Sequence, residues 1–105
     1  MVVPKAFAQQ GQFAAAVAEV EQQLQPRVVR IRYTLGEDWT GDPAVFFRIT
    51  LPDDAPRTDH LFGTADGIST AIEQRIEPLE QWGVLPYFRF RRQSEQARLN
   101  EPAWA

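Results

Sequence analysis

Three stretches of the chain alternate apolar residues with arginine: Val28-Val29-Arg30-Ile31-Arg32-Tyr33, Phe46-Phe47-Arg48-Ile49-Thr50-Leu51 and Tyr87-Phe88-Arg89-Phe90-Arg91. Side chains alternate between the two faces of a β-strand, so each stretch presents one oily face and one arginine-bearing face. A sheet built from all three collects Arg30, Arg32, Arg48, Arg89 and Arg91 on one surface. The opposite surface must be covered by something apolar.

Two helical stripes supply that cover. Phe13, Val17, Val20 and Leu24 recur at spacings of four, three and four, which predicts a helix from about residue 6 to 25, stopped by Pro26. Leu61, Ala65, Ile68, Ile72, Ile76 and Leu79 predict a second helix, with Trp82 beyond it, bent or ended near Pro78 and terminated at Gly83. This second stripe is apolar enough that part of it is available to a partner, although core packing is its default role. The strands are expected at about Val28 to Leu35, Ala44 to Leu51 and Leu85 to Arg91.

Between the first two strands runs Gly36-Glu37-Asp38-Trp39-Thr40-Gly41-Asp42-Pro43, rich in turn formers, and so short a connection implies an antiparallel hairpin. The proline- and aspartate-rich segment from Pro52 to His60 reads as a surface loop. The element order is therefore α-β-β-α-β, an α+β class. A right-handed crossover makes the second and third strands parallel. The simplest arrangement is a mainly antiparallel three-stranded sheet in the order 2-1-3 with both helices on one face. Phase turns Val29, Ile31, Tyr33, Val45, Phe47, Ile49, Phe88 and Phe90 toward the helices; Phe46 and Tyr87 join the five arginines on the other side.

Composition bounds what that face can do. A chain of 105 residues, 44% hydrophobic and 24% charged, fits one ordinary domain spanning residues 1–105, with residues 93–105 a tail that is either flexible or docked. It contains no cysteine, which excludes disulfides and thiolate zinc sites and is compatible with a reducing cytoplasm. With no signal-like N-terminus and no run of about 20 apolar residues, the expectation is a soluble cytoplasmic protein with no membrane role. Net charge is −3, so any attraction for polyanions must be local. Lys5 is the only lysine among eleven basic residues, a bias that a GC-rich genome explains as readily as selection for guanidinium.

Neighbouring arginines on one sheet face stand about 4.8 to 6.8 Å apart, and each like pair costs about 0.6 to 0.9 kcal/mol in water before screening. No Asp or Glu lies in the three strands, so relief must come from Glu37, Asp38 and Asp42, from Glu95 or Glu101 in the tail, or from another molecule. The plainest reading is that the arginine stems shield Phe46 and Tyr87 while their heads sit in water or pair with the tail. The functional reading is a protein–protein contact surface of Arg and aromatics, formed by Arg30, Arg32, Arg48, Arg89 and Arg91 with Phe46, Tyr87, Trp39 and Trp104. The alternative is single-stranded RNA or DNA stacking on the same face, which the acidic net charge disfavours.

Other constellations carry less. Glu37, Asp38 and Asp42 do not match the calcium-loop spacing, and no metal or cofactor is expected. Trp39, at a loop tip, either tucks against the sheet edge, the arrangement expected here, or awaits a partner. Asp59 and His60, with Asp53 and Asp54 nearby, form the one grouping an enzyme could use for acid–base work. No nucleophile accompanies them, Gly63-Thr64-Ala65-Asp66-Gly67 lacks the P-loop lysine, and no catalytic residue is assigned.

The run from Ile31 through Leu35-Gly36-Glu37-Asp38-Trp39 to Arg48, with the ending Pro86-Tyr87-Phe88-Arg89-Phe90, Ser94-Glu95-Gln96 and Glu101-Pro102-Ala103-Trp104, resembles a family of small uncharacterised bacterial proteins. The N-terminal helix is not part of the resemblance. Genes of that family resemble members of two-gene units beside helical proteins of the HEPN type, a class that includes toxin ribonucleases. The resemblance implies a small partner or antitoxin-like protein. The sequence thus leads to an interaction module, acting as a homodimer, as the partner of another small protein, or both.

Overall fold

The computed structural model describes residues 3–55 and 59–105, with 59–64 described as helical backbone alone. The elements are helices α1 (Lys5–Ala8) and α2 (Gln10–Leu24), strands β1 (Arg30–Glu37) and β2 (Pro43–Leu51), helices α3 (Asp59–Ile76) and α4 (Pro78–Trp82), strand β3 (Leu85–Arg92), helix α5 (Gln93–Leu99) and a final 3-10 turn (Pro102–Trp104). The class is α+β. No helix among the described residues is long and apolar enough to cross a membrane.

The strand order is β1-β2-β3, which corrects the expected 2-1-3. β2 pairs antiparallel with β1 and parallel with β3, so the sheet is mixed rather than mainly antiparallel. The physical reason lies in burial. Val45, Phe47, Ile49 and Leu51 are at most 1% exposed, and Ala44 and Thr50 on the other face are fully covered as well. A strand covered on both faces belongs at the centre, where both its edges are also paired. The helical crossover from β2 then sets β3 directly beside it, as a parallel pair requires.

Register confirms which residues share a face. Arg32, Arg48 and Arg89 form one row across the sheet, Phe46 and Tyr87 are paired in the next, and Arg30, Thr50 and Arg91 align in the row on the other side. On the opposite face the same pairings line up Tyr33 with Phe47 and Phe88, and Ile31 with Ile49 and Phe90. The core gathers Phe13, Val17, Val20 and Leu24 of α2, Ile68, Ile72 and Ile76 of α3, and Val45, Phe47 and Ile49 of β2. Phe13 meets both Tyr33 and Trp82 edge-on, at 5.0 and 5.1 Å between ring centroids.

The expected first helix is interrupted at Gln9, whose ψ of 56° departs from helical values. The expected second helix is also divided. Glu77 adopts a left-handed conformation with φ 52°, Pro78 opens α4, and Gly83 with φ 70° closes it. That change of direction takes Leu79 out of the apolar stripe and leaves it 51% exposed. The loop expected to run to His60 is shorter: helical backbone begins at Asp59. The side chains of Asp59 and His60 lie outside the described residues, as does that of Leu61.

Candidate functional site

The outer face of the sheet is divided into two ends, one covered and one open. At the covered end, the chain turns back over its own arginines. β3 runs into α5, Asn100 takes a left-handed conformation (φ 50°) that stops the helix, and residues 101–105 lie across the sheet. Arg48 donates from Nε to the Ala103 carbonyl at 2.8 Å, Arg30 to the Trp104 carbonyl at 3.3 Å, and Arg32 to the Ala105 backbone oxygen at 3.0 Å. Arg91 reaches Gln96 Oε1 at 2.9 Å and Glu101 Oε1 at 3.1 Å, and its guanidinium lies 4.3 Å from the centre of the Trp104 ring. Gln96, itself buried, donates to the Glu101 carbonyl at 2.8 Å, so one amide links the sheet to the returning chain.

Trp104 is the anchor of this arrangement, at 4% exposure. Burying an indole contributes up to about 4 kcal/mol. The three guanidinium–carbonyl bonds add roughly 1 kcal/mol each and the stacked cation about 1 more. Ordering five residues costs about 5 to 10 kcal/mol. Gain and cost are therefore of the same size, before the Arg91–Glu101 ion pair and the Gln96 amide bond are added. Beneath it Thr50 Oγ1 is buried with no hydrogen-bond partner among the described residues.

Two side-chain carboxylates meet these four arginines. Glu101 pairs with Arg91, as the sequence allowed, but the other comes from α2: Glu21 lies 3.3 Å from Arg32 and accepts the Ile31 backbone N–H at 2.7 Å. Glu21 carries no signal in the sequence, because its approach to β1 depends on how α2 packs. Arg48 and Arg30 have neutral carbonyls instead, and burial pushes the Arg48 guanidinium below its ordinary value.

The open end is aromatic. Phe46 and Tyr87 stack at 5.4 Å with an interplanar angle of 18°, and Trp39 meets Tyr87 edge-on at the same distance. Trp39 does not tuck under the sheet edge as expected. It is 82% exposed, because the turn that carries it is pinned from below by its neighbour. Asp38 Oδ1 accepts the Thr40 N–H at 2.9 Å, the Thr40 hydroxyl at 2.6 Å and the Asp42 N–H at 3.0 Å, the pattern by which a short acidic side chain closes a turn. Its Oδ2 accepts the Tyr87 hydroxyl at 2.7 Å.

These hydrogen bonds, those from the Thr40 and Tyr87 hydroxyls foremost, lower the Asp38 carboxyl to about 2. The same bond to Asp38 raises the Tyr87 phenol. Asp38 is thus engaged with the turn and the phenol instead of with an arginine. Arg89, on the same face two residues beyond Tyr87, is exposed and has no hydrogen-bond or ion-pair partner among the described residues. No group of three or more His, Cys, Asp or Glu that could hold a metal ion occurs among the described residues.

Of the nine residues singled out from the sequence, Arg30, Arg32, Arg48, Arg91 and Trp104 come together at the covered end; Trp39, Phe46 and Tyr87 come together at the open one, with Arg89 beside them. Sequence reasoning missed Asp38, Gln96 and Glu21 as the residues that organise the two ends. Asp38-Trp39-Thr40 does carry a legible Asp-x-Thr turn signal. Comparison with protein-family models, with curated proteins and with solved structures finds no match to this chain.

Proposed function

We propose that the protein is a protein–protein interaction module that meets its partner through the open aromatic end of the outer sheet face. The observation that carries this reading is Trp39, a large indole 82% exposed and standing on Tyr87, which Asp38 in turn holds in place. Such a ring in water is an unfavourable apolar surface that a partner can cover. Trp, Tyr and Arg are the residue types that dominate interface energetics, and Trp39, Tyr87 and Arg89 are neighbours here. Because the turn and the phenol are already fixed, little conformational freedom remains to be lost on docking.

The partner is a second copy of the chain or another small protein. Charge favours a protein over nucleic acid. Four of the five arginines are engaged with residues 96–105 or Glu21, and nucleic-acid affinity depends on many simultaneous phosphate contacts.

The test is recovery of a partner on the tagged chain from its host, or self-association in sedimentation, repeated with Trp39→Ala and Arg89→Glu. Each substitution should weaken association by roughly 30-fold, the effect of losing about 2 kcal/mol at an interface centre, with an unchanged circular dichroism spectrum. A variant that associates as well as the parent, or a parent that is monomeric and recovers nothing specific, overturns the proposal. Salt-sensitive binding of single-stranded RNA that is lost in both variants would replace it with the nucleic-acid reading.

A further inference from the structure

We infer that the covered end of the outer face is a binding groove for an acidic segment of another protein carrying an aromatic anchor, and that residues 101–105 are its intramolecular placeholder. This inference is independent of the aromatic end and does not require Trp39.

The contacts themselves define what the groove recognises. Three arginines read main-chain oxygens of consecutive residues, which any peptide offers, and the fourth reads one carboxylate and one aromatic ring. Ala103 and Ala105, whose main-chain oxygens are bound, contribute no polar group from their side chains and are exposed. The recognition chemistry is therefore that of a short peptide with an acid three residues ahead of a buried aromatic.

The resident segment fills this groove incompletely. Four guanidiniums converge on it, yet the only side-chain carboxylate it brings is that of Glu101, itself half exposed, and Glu21 serves Arg32 from the side. Arg48 is partly buried against a neutral carbonyl, an unfavourable place for a charge without a counter-ion. The fully buried Thr50 hydroxyl in the floor has no partner among the described residues. A segment with further carboxylates would meet both the unmatched charge and the same backbone contacts. The segment leaves α5 at Asn100, whose left-handed backbone and N–H bond to the Gln96 carbonyl end that helix.

Two fluorescent hexapeptides test this, one with the sequence of residues 100–105 and one with glutamate replacing both of its alanines, each titrated against the full chain by anisotropy. The acidic peptide should bind more tightly than its parent, and roughly tenfold more tightly to Trp104→Ala than to wild type, because emptying the groove removes the fraction of molecules closed to it. Glu101→Ala, which keeps the indole, should lie between the two. Adding Arg48→Met to Trp104→Ala should abolish binding. A folded Trp104→Ala that ignores the acidic peptide, or that binds both peptides equally, overturns the inference. If Trp104→Ala does not fold, Glu101→Ala decides: affinity no higher than wild type overturns it. A single-stranded oligouridylate that outcompetes the acidic peptide also overturns it, in favour of a phosphate-binding groove.

Discussion

Asp38 shows how much one side chain can organise. Its carboxylate closes the hairpin turn through two backbone N–H groups and one hydroxyl, then reaches across the end of β2 to the phenol on β3. All of these bonds favour the ionised form, which is why the carboxyl is lowered to about 2 from 3.8. A depressed carboxyl contributes stability that is present above its unfolded value and lost as pH falls through its folded one. The stability difference between wild type and Asp38→Asn should therefore be constant near neutrality and shrink between about pH 4 and pH 2, followed by urea unfolding across that range. A difference that persists unchanged at pH 2 would mean that the charge of Asp38 contributes nothing. The alternation of Arg with apolar residues made the outward-facing residues of all three strands legible. The bond from the Tyr87 phenol to Asp38 was not, because it joins residues 49 apart in sequence, and Gln96, although its partners Arg91 and Glu101 are near in sequence, acts only once the chain has folded back over the sheet.

The secondary elements were legible to the extent that their signals are local. The stripe Phe13, Val17, Val20 and Leu24 is buried throughout, and Gly83 ends α4 as a left-handed cap. Strand order was not legible, because alternation fixes which face a residue occupies and says nothing of which strand lies beside it. The tail gave two clues to its docking, the isolated Trp104 and the Glu101 carboxylate that the arginine face needed. At Gly83 the requirement is twofold: φ is 70°, and a Cβ would lie 3.3 Å from that of Pro4. Gly41 has a comparable φ of 87° but open space around it. Gly41→Ala should cost about 1 kcal/mol, the penalty of left-handed backbone alone. Gly83→Ala should cost more, because Pro4 must shift as well. Equal midpoints in chemical denaturation would show that the contact with Pro4 is soft.

At the scale of the molecule, a three-stranded sheet has two edges, and β1 forms one of them over eight residues. Unpaired strand edges invite the strands of other molecules. Here the outward-pointing N–H of Ile31 is taken by the Glu21 carboxylate, and the Ile31 carbonyl accepts from Arg32 at 3.2 Å. Glu21→Ala should leave the fold in place yet produce concentration-dependent, thioflavin-positive aggregates on mild heating, detected by light scattering. A variant as clear as wild type would show that the rest of the edge is sufficiently guarded. The contact described above as relief for an arginine thus also occupies the edge: an incoming strand must displace the Glu21 carboxylate before it can add to the sheet at Ile31.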